Sequence, residues 1–172
     1  MPDAVAPDPT FRLAHPGDAV ALQPLVHRAY RGDSARQGWT HEADLLDGNR
    51  IDLADLEAVI ADPTHAVIVA EAEGAAVGCV QISDRSNGLA YLGMLTVDPR
   101  LQGSGLGRRL IAEAERTAVD RFAARRMEMT VIVQRAELID WYIRRGYAPT
   151  GETRPFPATD PRFGLPRRVR GQ

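Results

Sequence analysis

The sequence predicts one domain of the α/β or α+β class, in which helices pack on a mixed β-sheet. Its 172 residues suit a single domain with a sizeable core. Apolar residues recur first at helical spacing, then in extended runs, and then in alternating extended and helical segments. The composition, 44% hydrophobic and 26% charged, is that of a soluble globular protein and not of a disordered or collagenous chain.

The first third of the chain predicts a strand followed by helices. Residues 10–14 form the candidate strand, and a His-Pro-Gly turn follows it. Apolar residues then recur at helical spacing up to Tyr30, which makes Asp18 a candidate helix cap. A polar segment covers 33–47, and a short helix begins near Asp52 and stops at Asp62-Pro63.

The middle of the chain predicts a meander of three strands. Runs at 66–71 and 75–83 flank a Glu-Gly turn and predict a hairpin. Residues 89–97 predict a third strand, which is apolar on both faces and therefore central in the sheet.

The second half predicts a glycine-rich loop, an amphipathic helix to about Phe122, a strand over 127–133 and a helix over 137–145. An extended stretch begins at Tyr147. We expect residues 1–9 to be flexible, 10–153 to form the domain, and 154–172 to be a separate Pro- and Arg-rich segment. The final strand of the sheet is missing, very short, or supplied by another chain.

The charged residues and the lone cysteine exclude several functions. All 21 basic residues are Arg, so no Schiff-base or P-loop Lys exists. A net charge of −2 argues against a nucleic-acid partner, and no apolar run is long enough for a membrane span. Cys79 alone cannot form an internal disulfide, and the histidines lack a metal-ligand spacing, so we expect no metal. The acidic, Pro-rich N-terminus does not resemble a signal peptide and predicts a cytoplasmic location.

The loop Gln102-Gly103-Ser104-Gly105-Leu106-Gly107 is the most informative segment for function. Its glycines allow sharp turns, and its amides precede a helix N-terminus, which together favour an anion. Arg108 and Arg109 follow in the first helical turn. The alternative is a strand-to-helix connection without a ligand. Arg108 occupies the position of the third glycine of a dinucleotide fingerprint, and a Walker loop needs a Lys, so both nucleotide motifs fit poorly.

This loop resembles the acyl-CoA loop of the GNAT superfamily of N-acetyltransferases, whose pattern is Gln/Arg-x-x-Gly-x-Gly/Ala. Further on, Tyr142 lies four residues before Gly146-Tyr147, as in the closing segment of that family. The resemblance implies a mixed, mostly antiparallel sheet flanked by helices on both faces. It also implies acetyl-CoA as co-substrate and direct acetyl transfer to a primary amine in a ternary complex.

The resemblance further implies roles for individual residues. Tyr142 would protonate the leaving thiolate as general acid. Without the resemblance, the apolar helix around it favours a core aromatic. The backbone amide of Leu95 would polarise the thioester carbonyl. Arg135 stands where the family often has Asn and would reach a phosphate or the substrate, or be solvated. The residues expected to bind the cofactor are Leu95, Val97, Gln102, Gly103, Ser104, Gly105, Gly107, Arg108 and Arg135.

The acceptor and the general base stay open at this stage. Glu42, Glu71 and Glu128 are candidate bases, and each has a solvated or paired surface charge as its alternative. Trp39, Arg36 and Glu42 are candidate residues for binding a small-molecule amine, or else belong to a capping loop. The alternatives to that acceptor are a protein N-terminus or Lys, or a catalytically silent acyl-CoA-binding module. A homodimer is also left open.

Overall fold

Seven strands form one sheet in the order β1-β2-β3-β4-β5-β7-β6. The computed structural model describes residues 8–30, 52–131, 135–153 and 167–170. Within those ranges the strands are β1 Thr10–Leu13, β2 His65–Ala72, β3 Ala75–Asp84, β4 Leu89–Val97, β5 Arg126–Thr130, β6 Ala148–Thr153 and β7 Arg167–Arg170. The helices are α1 Ala19–Tyr30, α2 Leu53–Ala61, α3 Leu106–Phe122 and α4 Ala136–Arg144. The polar segment over 33–47 lies outside the described residues.

The sheet is mixed and mostly antiparallel, as predicted. Of the described strand pairs, β4 with β5 is parallel and the others are antiparallel. The strand over 89–97 has the predicted bounds and lies in the middle of the sheet, between β3 and β5. None of the helices in the described ranges is long and apolar enough to cross a membrane.

Helices cover both faces of the sheet, and each face has its own core. Leu106, Leu110, Ala114 and Ala118 recur every fourth residue of α3 and pack on one face together with α4. On the other face, α1 and α2 pack against residues that include Val67, Val69, Cys79 and Met94. The prediction of helices on both faces is therefore confirmed.

The parallel strands β4 and β5 are paired only at their beginnings. Their registered pairs run from Leu89 with Arg126 to Tyr91 with Glu128. Among the described residues, no registered pair joins β5 to the rest of β4. The two strands thus leave a wedge next to the C-terminal half of β4.

A β-bulge in β4 decides which side chains face this wedge. Gln81 pairs with Gly93, but Cys79 pairs with Thr96, so β4 carries one extra residue at this point. Met94 has a φ of 52°, a left-handed value that is uncommon outside glycine. An extra residue reverses the alternation of side chains along a strand. As a result Met94 joins the core under α1, while Leu95 packs against the core under α3 and α4.

Gly78 allows α3 to approach the sheet closely. A Cβ atom on this residue would lie 2.8 Å from the carbonyl oxygen of Thr96 and 2.9 Å from Cδ1 of Leu110. Both distances are shorter than real Cβ contacts, and the first involves a backbone atom that cannot move aside. A glycine at this position therefore lets α3 begin beside the end of β4.

The surroundings of Asp18 and the final strand of the sheet differ from what the sequence predicted most simply. Asp18 ends a short 3-10 turn, where its carboxylate accepts a hydrogen bond from the backbone N–H of His15 at 2.8 Å and two from the Arg12 guanidinium at 2.8 Å. The final strand in sequence is β7, at 167–170, and it pairs with both β5 and β6. It is very short, as one of the three expectations had it, and it comes from this chain. These residues belong to the segment that we expected beyond the domain.

Candidate functional site

A cleft of about 360 Å³ lies between the C-terminal half of β4, the start of α3 and one face of α4. It gathers segments that are far apart in sequence, from Ala29 on α1 to Arg145 after α4, because the β4–β5 wedge and the start of α3 meet there. Every residue predicted to bind the cofactor lines this cleft, with the exception of Arg135: Leu95, Val97, Gln102, Gly103, Ser104, Gly105, Gly107 and Arg108. The candidate acid Tyr142 also lines it.

Asp98 holds the start of the glycine-rich loop in place. Its carboxylate accepts a hydrogen bond from the backbone N–H of Arg100 at 3.0 Å and from Nη2 of the same residue at 2.8 Å. The bond from the Arg100 side chain is the main reason that the pKa of Asp98 lies below its usual range. The backbone N–H of Asp98 in turn donates to the carbonyl of Val77 at 2.9 Å. The loop therefore leaves β4 from a fixed point.

The loop ends at Gly105, the N-cap of α3. Gly105 has a φ of 87°, a left-handed backbone conformation that side-chain-bearing residues rarely adopt. It contributes no capping side chain, although the N–H of Leu106 donates to Oγ of Ser104 at 3.4 Å. The amides at the start of a helix attract anions, and the first turn of α3 holds no acidic residue that would compete.

The two arginines that follow the loop point to different places. Arg108 lines the cleft, and its Nη2 lies 3.5 Å from the position that a Cβ on Gly105 would take. Arg109 instead forms an ion pair with Asp8 at 2.8 Å, and its guanidinium lies 5.1 Å from the ring centroid of Phe11 on β1. Arg108 is therefore the one of the pair that is placed to contact a phosphate in the cleft.

One face of α4 forms the opposite wall. Its lining residues Leu138, Trp141, Tyr142 and Arg145 follow the spacing of a single helical face. Tyr142 is only 6% exposed. Its ring meets that of Trp141 edge to face, with the centroids 5.1 Å apart. Trp141 also reaches across the cleft, because its ring atoms lie 3.5 Å from the position of a Cβ on Gly107.

The ring of Tyr147 packs against Tyr142 and does not line the cleft. The two rings are 6.1 Å apart in an edge-to-face arrangement, and the Tyr147 N–H donates to the Tyr142 carbonyl at 3.2 Å. The Tyr147 hydroxyl donates to Oε2 of Glu115 on α3 at 3.1 Å. Burial raises the pKa of Tyr147 and is also the main cause of the raised pKa of Glu115. This contact ties α3 to the segment that follows α4.

Of the candidate bases, Glu71 and Glu128 lie in very different surroundings. Glu71 on β2 accepts a hydrogen bond from Nε of Arg12 at 2.8 Å, which lowers its pKa and makes it a poor base. Glu128 on β5 is 5% exposed and lies opposite Tyr91 in the last registered pair before the wedge. Its neighbours Met127 and Met129 belong to the core under α3 and α4, so Glu128 faces the side of the sheet that carries α1.

The remaining predicted residues lie elsewhere. Arg135 is the N-cap of α4 and is 7% exposed, but it is not among the residues that line the cleft. Trp39, Arg36 and Glu42 lie outside the described residues. In the part of the chain that the structure describes, no group of three His, Cys, Asp or Glu residues is arranged to hold a metal ion.

Sequence reasoning missed three residues of the α4 wall, Leu138, Trp141 and Arg145. The guanidinium of Arg145 lies 5.1 Å from the centroid of the Trp141 ring, within the range of a cation–π contact. The available signal was helical spacing, because Leu138 is four residues before Tyr142 and Arg145 is three after it. Extending the face of Tyr142 in both directions would have found Leu138 and Arg145.

Both the sequence and the fold are similar to those of known acetyltransferases. The sequence model that describes the acetyltransferase (GNAT) family matches residues 24–147 of the chain. No curated protein matches the chain. A putative acetyltransferase, YncA from Salmonella typhimurium, solved with acetyl-CoA, has a TM-score of 0.69 at 21% identity, over 96% of this chain and 94% of that one. The PaiA N-acetyltransferase of Thermoplasma acidophilum, solved with coenzyme A, has a TM-score of 0.69 at 15% identity, over 96% and 99%.

A third solved structure is similar to the same extent. It is a chimera of the spermidine N-acetyltransferase SpeG from Vibrio cholerae and hSSAT. The TM-score is 0.69 at 18% identity, over 95% of this chain and 94% of that one. At these identities the likeness establishes a shared fold.

Proposed function

This chain belongs to the GNAT family of acetyltransferases, and on that premise we propose that it transfers the acetyl group of acetyl-CoA to the primary amine of a small molecule. The observation that carries the proposal is the convergence of the glycine-rich loop, the C-terminal half of β4 and Tyr142 on one cleft. These are the three parts that bind the donor, orient it and supply a proton.

The residues of the cleft suit the anionic part of coenzyme A. The loop amides and the start of α3 favour phosphate oxygens, and Arg108 adds a positive charge beside them. No carboxylate occurs among the described lining residues. Bound acetyl-CoA would supply an acetyl group activated as a thioester.

Leu95 and Val97 line the cleft directly after the bulge in β4, which supports assigning the reacting end of acetyl-CoA to this part of the cleft. We assign the Leu95 amide the polarisation of the acetyl carbonyl, and the Val97 backbone the pantetheine amides. An amide held in a strand is already oriented, so no reorganisation is needed when negative charge develops on the oxygen. Orientation of the two reactants supplies much of the rate enhancement, on the order of 7–11 kcal/mol in favourable cases.

Tyr142 is the proposed general acid. The acceptor nitrogen forms the new C–N bond while the C–S bond breaks, and the Tyr142 hydroxyl gives its proton to the leaving sulfur. A phenol has a reference pKa of about 10, so it keeps its proton at neutral pH and can still donate to a thiolate. Edge-to-face packing by Trp141 and Tyr147 holds the ring in the wall of the cleft.

Glu128 is our choice of general base. An amine that enters from the α1 side of the sheet meets this carboxylate next to the wedge, where β4 and β5 separate. Glu71 is less suitable because Arg12 stabilises its charged form. We also keep the proposal that the acceptor amine is bound by Trp39, Arg36 and Glu42, and that the cofactor is bound by Arg135. The cytoplasmic location and a homodimer stay predictions from the sequence.

The test combines a turnover assay with a binding measurement. The protein is incubated with acetyl-CoA and a panel of small amines, amino acids and peptides, and the release of free thiol is followed. The variant Tyr142→Phe should lower turnover at least about tenfold, since general acids contribute about 10²–10⁴. Its affinity for CoA, measured by calorimetry, should stay within about twofold of the parent because Phe retains the ring packing.

Tyr147→Phe is the matched control, because it removes a phenol hydroxyl from a ring that contacts Tyr142 but does not line the cleft. It should retain turnover. Equal loss in both variants would assign Tyr142 to the core. Binding of CoA without turnover on any amine would favour a silent acyl-CoA-binding module, and turnover restricted to peptides would favour a protein acetyltransferase. Absence of CoA binding would refute the proposal.

A further inference from the structure

Two charged side chains occur among the described lining residues of the cleft, and both are arginines. Among its described lining residues, Arg108 comes from the first turn of α3 and Arg145 from the end of α4. They belong to different walls, and their positions relative to the glycine-rich loop differ. A ligand with two separate anionic groups would match this arrangement.

Arg108 belongs to the loop side. Its Nη2 is 3.5 Å from the position of a Cβ on Gly105, beside the amides that begin α3. Arg145 lies against Trp141, whose ring atoms lie 3.5 Å from the position that a Cβ on Gly107, in the first turn of α3, would take. Trp141 thus lies between the loop and Arg145 and fixes the guanidinium by a cation–π contact.

We infer that Arg145, held on Trp141, binds the 3′-phosphate of coenzyme A and makes the protein selective for the cofactor that carries it. The inference rests on the proposed function. Coenzyme A has two anionic groups, a diphosphate and a phosphomonoester on the ribose. The loop amides and Arg108 account for the diphosphate, which leaves the monoester for the second arginine.

The chemistry of the side chain agrees with this assignment. A guanidinium can donate two parallel hydrogen bonds to a phosphate, and it can stack on an indole while it does so. Arg145 is only partly exposed, so its charge is less screened than that of a fully solvated arginine. Its neighbour Arg144 is exposed and does not line the cleft, which makes it a matched control on the same helix end.

The experiment measures equilibrium binding of CoA and of 3′-dephospho-CoA by calorimetry. The parent protein should bind CoA at least about tenfold more tightly, because charge-assisted hydrogen bonds to a phosphate are worth that much or more. Arg145→Gln should weaken CoA binding by about the same factor and leave the Kd for dephospho-CoA within about twofold. Arg144→Gln should keep the preference, and Arg145→Lys should keep part of it.

The outcomes separate the inference from the function on which it rests. Equal weakening toward both ligands in Arg145→Gln would show that Arg145 contacts the diphosphate or only supports Trp141, and would overturn the inference. A parent protein that binds both ligands equally, or a variant that keeps the preference, would overturn it as well. A parent protein that binds neither ligand would overturn the proposed function itself.

Discussion

Replacing Gly105 by Ala tests whether the backbone of the loop, and not its side chains, binds the cofactor. Gly105 has a φ of 87°, and the nearest atom to an added Cβ is Nη2 of Arg108 at 3.5 Å, an ordinary contact with a flexible group. The substitution thus introduces backbone strain with little crowding. Left-handed backbone costs a residue with a Cβ roughly 1–2 kcal/mol, so the free energy of unfolding should fall by about that amount.

Gly74 is a matched control for the same strain. It has a φ of 79° in the turn between β2 and β3, and nothing lies within 4 Å of an added Cβ. Gly74→Ala should therefore destabilise the protein about as much as Gly105→Ala. The two variants differ in place, because Gly105 lines the cleft and Gly74 does not.

Only Gly105→Ala should weaken CoA binding, by about tenfold, which corresponds to about 1.4 kcal/mol. The strained backbone relaxes by shifting φ, and this shift moves the amides that we propose to bind the phosphates. Urea unfolding measures the stability of both variants, and calorimetric titration with CoA measures affinity. Equal loss of affinity in Gly74→Ala would indicate a global effect, and unchanged affinity in a destabilised Gly105→Ala would refute backbone recognition.

Two other variants each remove one carboxylate, that of Asp18 or that of Glu128. The Arg12 guanidinium lowers the pKa of Asp18 to about 2, so the ion pair contributes its full stability above about pH 4 and loses it as the pH falls toward 2. At 1.36 kcal/mol per pKa unit, the ion pair contributes about 2 kcal/mol to the free energy of unfolding. In urea unfolding, Asp18→Asn should lose this contribution at pH 7, and its stability should fall less steeply in acid than that of the parent. Parallel plots of stability against pH for the two proteins would contradict the assignment. Glu128→Gln should lower turnover at least about tenfold while CoA affinity, measured by calorimetry, stays the same, and full turnover would exclude Glu128 as the base.

The place of the loop and of Tyr142 in the cleft was predictable because both are marked in the local sequence. Gly105 needs a left-handed backbone at a strand-to-helix junction, and a glycine at that point is visible in the sequence. Tyr142 is marked by its distance from Gly146. The strand over 89–97 was predictable from its apolar run, and its central position follows from the same pattern.

Other features depend on contacts that no local pattern encodes. The bulge in β4 depends on the register with β3: Gly93 directly precedes it, but the residue with left-handed backbone is Met94, which carries a side chain. Asp18 looked like a helix cap, but Arg12 holds its carboxylate and also binds Glu71, 59 residues further on. Helical spacing from Tyr142 places Arg145 on the same face of α4, but its contact with Trp141 is not visible in the sequence.

The position of β7 has a consequence for the order in which the fold is completed. In strand pairing, β6 reaches the rest of the sheet only through β7, although the ribosome makes β6 first. Until residues 167–170 have been synthesised, β5 and β6 are both open edges that await the same four-residue strand. Open edges pair readily with other chains. Slow completion of this step would favour a swapped dimer, in which β7 of one copy fills the gap in another.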